Sequence, residues 1–92
     1  MSAIARCGVL AATLVALAAC SHYTIPAEYD HPYRGELTVY TGPEAIWKAC
    51  KKWLRGCALV YSPSRCTIVM NDPGDEENRR HEIAHCNGWL HP

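Results

Sequence analysis

Residues 79–92 read RRHEIAHCNGWLHP, and more of the expected fold depends on this stretch than on any other. It contains the series H-E-x-x-H-x-x-G-x-x-H, formed by His81, Glu82, His85, Gly88 and His91. Two more glutamates precede it, where negative charge favours the first turn of a helix. The glycine suits a left-handed helix end. The stretch therefore predicts a C-terminal helix that ends near residue 87.

The histidine spacing on such a helix suits a metal ion. His81 and His85 lie four residues apart, so both imidazoles project from one face, as two ligands of tetrahedral zinc require. Gly88 permits a turn that brings His91 back as a third imidazole. Three protein ligands with one open position are typical of catalytic zinc. Glu82 would flank the metal and take a proton from the attacking water as general base.

These residues resemble the signature of the zincin metallopeptidases, and the spacing through His91 is that of the metzincin clan. The resemblance implies zinc ligation by His81, His85 and His91, with Glu82 as the catalytic base. It also implies that a strand at the sheet edge holds an extended peptide substrate by main-chain hydrogen bonds. In metzincins a methionine turn and a C-terminal subdomain follow the third histidine, whereas Pro92 alone follows His91 in this sequence. We therefore expect a shallow, open site, or one that a second chain completes.

The N-terminus has the features of an export signal. Residues 8–19 form an uncharged apolar run, shorter than the roughly 20 residues that span a bilayer, so residues 1–19 are interpreted as a signal peptide. The run ends in LAAC, which resembles a bacterial lipobox and implies that Cys20 is lipidated and becomes the mature N-terminus. By the same resemblance, Ser21 implies the periplasmic face of the outer membrane. The alternative is an ordinary secretory signal cut near Ala19.

The mature chain is small enough that a hydrophobic core alone is marginal, so we expect covalent staples. In an oxidising compartment the remaining cysteines, Cys50, Cys57, Cys66 and Cys86, predict two disulfides, although their spacing allows three pairings. Cys86 could instead ligate zinc, but it points about 100° around the helix from its neighbour His85. We therefore expect Cys86 to bridge to the body of the domain, with Cys66 the favoured partner and Cys50 left with Cys57.

The rest of the chain predicts a small α+β domain. Residues 36–40, 57–61 and 66–70 are strand-like, and the last two runs are separated by a turn. Between the first two strands, a helix with Thr41 as cap and Pro43 in its first turn extends to Gly56. Its apolar stripe is expected to pack on the domain and consists of Ile46, Ala49, Cys50, Trp53 and Leu54. The expected architecture is a minimal zincin-like domain over residues 36–92: a small antiparallel sheet, one packing helix and a C-terminal metal-bearing helix, stapled by disulfides.

Several other residues carry two interpretations. Residues 20–35 are expected to form the lipidated N-terminus and a tether, in which His22 and His31 are solvated bystanders rather than ligands. The acidic loop at 71–78 is expected to begin the last helix, capped by Asp75, rather than to bind a cation. Trp89 is expected to plug the core at the helix end, the alternative being a wall of the site.

Two functions fit these observations. The first is a lipid-anchored zinc metallopeptidase of the cell envelope that hydrolyses peptide or protein substrates. The alternative is a non-catalytic envelope lipoprotein in which zinc and disulfides stabilise an interaction module. Glu82 favours the enzyme, because a structural clip needs no base beside the metal. Nucleic acid is not an expected partner, because nine basic and nine acidic residues balance and the basic ones are scattered.

The lipobox resemblance makes a direct prediction about the mature N-terminus. Mass spectrometry of the protein isolated from membranes should find Cys20 as the first residue, carrying a lipid. An unmodified terminus at any other residue would reject lipidation and leave the ordinary secretory signal.

Overall fold

A computed structural model describes residues 24–91, so the predicted signal peptide, Cys20 and His22 lie outside the described part of the chain. After a short 3₁₀ turn at Ala27–Tyr29, the elements in chain order are β1 (Glu36–Thr41), α1 (Pro43–Cys50), β2 (Gly56–Ser62), β3 (Arg65–Met70) and α2 (Glu76–Cys86). The predicted α+β class and the order of its elements are confirmed.

The three strands form one sheet in the order β1-β3-β2. β2 and β3 make the predicted antiparallel hairpin, but β1 pairs parallel to β3, with Leu37 opposite Cys66 and Val39 opposite Ile68. The sheet is therefore mixed, which corrects the expected wholly antiparallel sheet. The reason is topological: β2 runs opposite to β1, so a hairpin that places β3 between them makes β3 parallel to β1.

β3 is the centre of the fold, and its residues from Cys66 to Met70 are all buried. Because side chains alternate along a strand, Cys66, Ile68 and Met70 share one face, where they form the core with Cys86 of α2. Val69 points to the other face and is equally buried. α1 also contacts β2 and β3, and it carries the buried Ile46. The sheet is thus packed between α2 on one face and α1 on the other.

Both predicted disulfides are present. Cys66–Cys86 joins the central strand to the last residue of α2, and Cys50–Cys57 joins the end of α1 to the start of β2. This is the favoured pairing of the three. Two disulfides in a domain of this size indicate an oxidising, extracytoplasmic compartment.

The start of α2 is stabilised by its cap and by one arginine. Asp75 Oδ1 accepts a hydrogen bond from the Asn78 backbone N–H at 3.1 Å, which confirms Asp75 as the cap. The Arg55 guanidinium donates to the Asp75 and Glu77 carboxylates, and it holds the pKa of Asp75 below its usual range. The acidic loop therefore serves the helix start, as expected.

α1 differs from its prediction at both ends. Thr41 is the last residue of β1, and Gly42 with a φ of 107° precedes the helix without a side-chain cap. The helix stops at Cys50, where Lys51 adopts the left-handed conformation, so Gly56 begins β2 instead of ending α1. The early stop lets the chain turn back within the short loop that the Cys50–Cys57 disulfide closes.

The segment expected to be a tether is partly docked on the domain. Asp30 pairs with Arg80 of α2, and the Asn87 side chain donates to the backbone carbonyls of Tyr29 and His31 at 2.9 and 2.7 Å. The Tyr33 hydroxyl donates to the Pro63 carbonyl at 3.0 Å. Residues 29–33 thus contact the domain that the strands and helices form. Among residues 24–91, no helix has the length and apolar character needed to cross a membrane.

The Cys66–Cys86 bridge should contribute more to stability than the Cys50–Cys57 bridge, because its cysteines lie 20 residues apart rather than 7. From loop-closure entropy, C66A/C86A should lower the free energy of unfolding by about 3 kcal/mol and C50A/C57A by about 2.5 kcal/mol. Denaturant unfolding of both variants and the parent measures the order. A smaller loss for C66A/C86A than for C50A/C57A would contradict it.

Candidate metal centre

His81, His85 and His91 meet at the end of α2, and we call them the histidine triad. The Nε2 atoms of His81 and His91 are 3.1 Å apart, and those of His85 and His81 are 3.2 Å apart. One ligand atom from each of the three residues lies within 4.8 Å of the others. Among residues 24–91, this is the only group of three or more His, Cys, Asp or Glu side chains so arranged.

The separations match the size of a metal centre. Nitrogens bound about 2.0 to 2.1 Å from one tetrahedral zinc ion lie about 3.3 to 3.4 Å from each other. The Nε2 separations of His81 from His91 and from His85 are within a few tenths of an ångström of that spacing. The triad can therefore hold a metal ion.

One ring orientation is determined by the backbone. His85 Nδ1 lies 2.7 Å from the carbonyl oxygen of Trp89. A carbonyl can only accept, so Nδ1 carries the proton, and in the neutral ring the lone pair is on Nε2, which faces the triad. Such a hydrogen bond to the outer ring nitrogen is the usual way a metal-binding histidine is oriented.

Burial lowers the pKa of two histidines of the triad, His81 and His85. The pKa of His81 is lowered by burial first, and then by the neighbouring His85 and His91 rings. Burial also lowers the pKa of His85, despite the opposing effect of its hydrogen bond to Trp89. Neutral imidazole is the form that binds a metal, so the environment favours ligation.

Trp89 combines its two predicted roles. It is only 6% exposed, as expected for a core plug. Its ring stacks on His85 at a centroid distance of 5.2 Å, and it meets His81 and His91 edge-on at 5.1 and 4.9 Å. The indole therefore also forms a wall of the site, an aspect that the sequence interpretation placed second.

The turn at Gly88 returns the chain to the helix. Gly88 has a φ of 108°, its N–H donates to the His85 carbonyl, and the Trp89 N–H donates to the Ala84 carbonyl. His91 thereby lies beside His81 and His85, which precede it by ten and six residues. The expected role of Gly88 in recruiting the third histidine is thus consistent with the geometry.

Glu82 flanks the face of α2 that carries the two helical histidines, about 100° around the helix from His81 and about 60° from His85. It shares the spacing of the buried Asn78 and Cys86, which face the sheet, and it is only 4% exposed. No described residue makes a hydrogen bond or an ion pair with its carboxylate, and burial raises the pKa of Glu82 to about 7. A carboxyl group in this environment can exchange a proton near neutral pH.

Other candidate ligands are not part of the triad. Cys86 is in a disulfide and cannot ligate a metal as a thiolate. The His31 Nδ1 donates to the Pro32 carbonyl at 2.9 Å, so its ring is bound elsewhere, as expected for a bystander.

A groove borders the helix end on the side of the hairpin. It has a volume of about 520 Å³ and lies between the N-terminal segment, the β2–β3 turn and the residues that follow α2. Tyr33, Val60 and Gly88 line it. β2 is an edge strand in the sheet order, and Val60 and Tyr61 near its end are exposed. An extended chain could thus approach β2 beside the groove.

Comparisons with protein-family models, with curated proteins and with solved structures found no match to this chain.

Gly88 provides a test of the local turn. A Cβ at this position would meet nothing closer than Tyr29 Cε1 at 3.8 Å, so the cost of Gly88→Ala comes from its positive φ and not from crowding. We expect this variant to lose about 1 to 2 kcal/mol of unfolding free energy and to bind zinc more weakly than the parent. Calorimetric zinc titration and denaturant unfolding measure both effects.

Gly74→Ala is the matched control, because an added Cβ there makes an ordinary contact of 3.4 Å and no positive φ is required. It should change stability by less than about 0.5 kcal/mol and leave zinc affinity unaltered. Equal zinc affinity of Gly88→Ala and the parent would show that the turn does not position His91.

Proposed function

We propose that this chain is a zinc-dependent metallopeptidase of the cell envelope. The observation that carries the proposal is that the Nε2 atoms of three imidazoles lie close together at the end of α2. The same helix bears a buried carboxyl group, Glu82, one residue after the first of these histidines. The order of these residues along the chain resembles the zincin signature, and their spacing through His91 resembles that of the metzincins.

The donor set suits zinc better than a harder cation. Three neutral imidazoles are typical ligands of zinc, whereas magnesium and calcium favour oxygen. When bound by three protein ligands, zinc retains an open position and acts as a Lewis acid toward water and carbonyl groups. His81, His85 and His91 would hold the ion. The hydrogen bond from His85 to the Trp89 carbonyl would keep the His85 ring oriented toward it.

Glu82 would supply the general base. A base needs a carboxylate close to the reacting water and a pKa near the working pH. Burial gives Glu82 such a pKa, about 7. In the proposed reaction Glu82 takes the proton from the attacking water and then passes it to the departing amine, so that one carboxyl group serves both proton transfers.

The free edge of β2 would position the substrate. β2 pairs with β3 on one side, so its outer backbone groups can pair with an extended peptide as an additional strand. β2 also contacts α2, so a peptide on this edge would run beside the helix that carries the triad. Main-chain recognition of this kind favours unfolded or extended segments over folded ones.

The proposed location is the cell envelope, on the periplasmic face of the outer membrane. The two disulfides support an extracytoplasmic compartment. The LAAC sequence at residues 17–20 supports attachment through a lipid on Cys20, on the periplasmic face of the outer membrane.

Glu82 variants separate an active site from a structural clip. Glu82→Ala, and the isosteric Glu82→Gln, should retain close to one zinc per chain because the ligands are intact. Hydrolysis should fall by a factor on the order of 10² to 10⁴, because the base is lost. Elemental analysis gives the zinc content, and cleavage of labelled casein and of a mixed peptide library gives the activity of the same preparations.

A variant that removes a proposed zinc ligand has a different pattern. His91→Ala should lose zinc and activity together, because it removes a ligand. Glu76→Ala, an exposed carboxyl group on the same helix, should keep both and serves as the matched control.

Three outcomes would contradict the proposal. If Glu82→Ala loses zinc as readily as His81→Ala, Glu82 is a ligand and not the base. If His91→Ala binds zinc as tightly as the parent, the third ligand lies elsewhere. A zinc-loaded parent that cleaves neither casein nor the peptide library would favour the non-catalytic lipoprotein, in which zinc only stabilises the domain.

A further inference from the structure

An exposed apolar patch lies at the end of α1. Trp47, Trp53 and Leu54 are 48%, 69% and 42% exposed, and the two indole rings stack with centroids 5.1 Å apart. We call these three side chains the tryptophan patch. α1 packs on the face of the sheet opposite to α2, so the patch and the histidine triad belong to opposite layers of the domain.

The patch is held in place by the fold. Trp53 and Leu54 lie in the short loop that the Cys50–Cys57 disulfide closes, and the left-handed Lys51 turns the chain so that Trp53 returns to stack on Trp47. A helix extending to residue 55 would have placed Trp53 and Leu54 on the buried stripe that the sequence predicts. The observed turn instead presents them to solvent.

Positive charge surrounds the patch. Lys48, Lys51 and Lys52 are exposed, and Glu44, which pairs with Lys48 at 3.3 Å, is the only carboxylate between residues 43 and 54. Lys51 and Lys52 make no ion pair with a described residue. Arg55, the next cation, is occupied by Asp75 and Glu77. A chain whose total formal charge is zero thus has a local excess of two positive charges at its most exposed tryptophans.

This combination fits a membrane surface. Indole rings favour the boundary between headgroups and acyl chains, and lysines near the surface are attracted to anionic headgroups. We propose that the tryptophan patch docks on a bilayer containing anionic phospholipids, with Trp53 and Leu54 inserted at the interface. A second copy of the chain is a poorer occupant, because it would bring the same lysines face to face. The proposal is independent of zinc, of peptide hydrolysis and of the lipid on Cys20.

Docking through the patch would orient the domain. The triad lies in the layer on the other side of the sheet, so it would face away from the bilayer and toward soluble or cell-wall-associated chains.

Quenching of tryptophan fluorescence by brominated phospholipids tests the proposal on the full chain. Vesicles of phosphatidylcholine are compared with vesicles that also contain phosphatidylglycerol. We expect a blue shift and strong quenching that depend on phosphatidylglycerol. W47F/W53F should lose this response, because Trp89, its remaining tryptophan, is buried beside the triad. The N-terminus is the same in every variant, so the differences report on the patch alone.

Charge-matched variants test the lysines. K51Q/K52Q should lower the affinity for vesicles that contain phosphatidylglycerol, read from the quenching titration, by about 25-fold, because each surface lysine contributes about fivefold to binding. R34Q/R65Q removes two exposed cations elsewhere, and Tyr61→Ala removes an exposed aromatic ring at the opposite end of β2. Both controls should respond like the parent.

Three results would overturn the proposal. The first is equal quenching in the two kinds of vesicle, and the second is an equal effect of R34Q/R65Q and K51Q/K52Q. The third is a blue shift that appears without vesicles as the protein concentration rises and is lost in W47F/W53F, which would assign the patch to contact between copies of the chain.

Discussion

The Cys66–Cys86 bridge is the constraint on which the rest of the structure depends. It ties the middle strand of a three-stranded sheet to the last residue of α2, and both sulfurs lie in the core with Ile68 and Met70. Cys86 is the neighbour of His85 in the chain, so the bridge also determines where the helical histidines lie relative to the sheet. In a domain this small, apolar contacts alone would hold the helix on the sheet less firmly than the disulfide does.

The histidine triad itself is assembled locally. All three histidines fall within eleven residues, and their approach depends on the positive φ of Gly88 and the hydrogen bond between His85 and the Trp89 carbonyl. The environment of Glu82 depends instead on distant residues, because the sheet buries that carboxyl group and raises its pKa. The geometry of the triad therefore depends on the local turn after α2, whereas the environment of the adjacent Glu82 depends on packing against the sheet.

The early end of α1 and the mixed sheet, which both differ from the sequence predictions, arise where the chain reverses direction. α1 ends early because the chain must turn within the loop that the Cys50–Cys57 disulfide closes, and this turn converts two predicted core residues, Trp53 and Leu54, into exposed ones. The mixed sheet arises because the returning hairpin places β3 between the earlier strands. Helical periodicity and strand composition describe single elements, so neither reveals where a reversal will occur.

The sequence by itself determined the class of the domain, the strand positions, the cap at Asp75, the two disulfides and the identity of the triad. These depend on short-range chemistry: side-chain alternation, helix capping, cysteine number in an exported chain and histidine spacing along one helix. Only the tertiary structure decided the order and direction of the strands, the docking of Asp30 on Arg80, the enclosure of the triad by Trp89 and the burial of Glu82. Each of these features depends on how the helices and strands pack against one another, and local sequence patterns do not specify that packing.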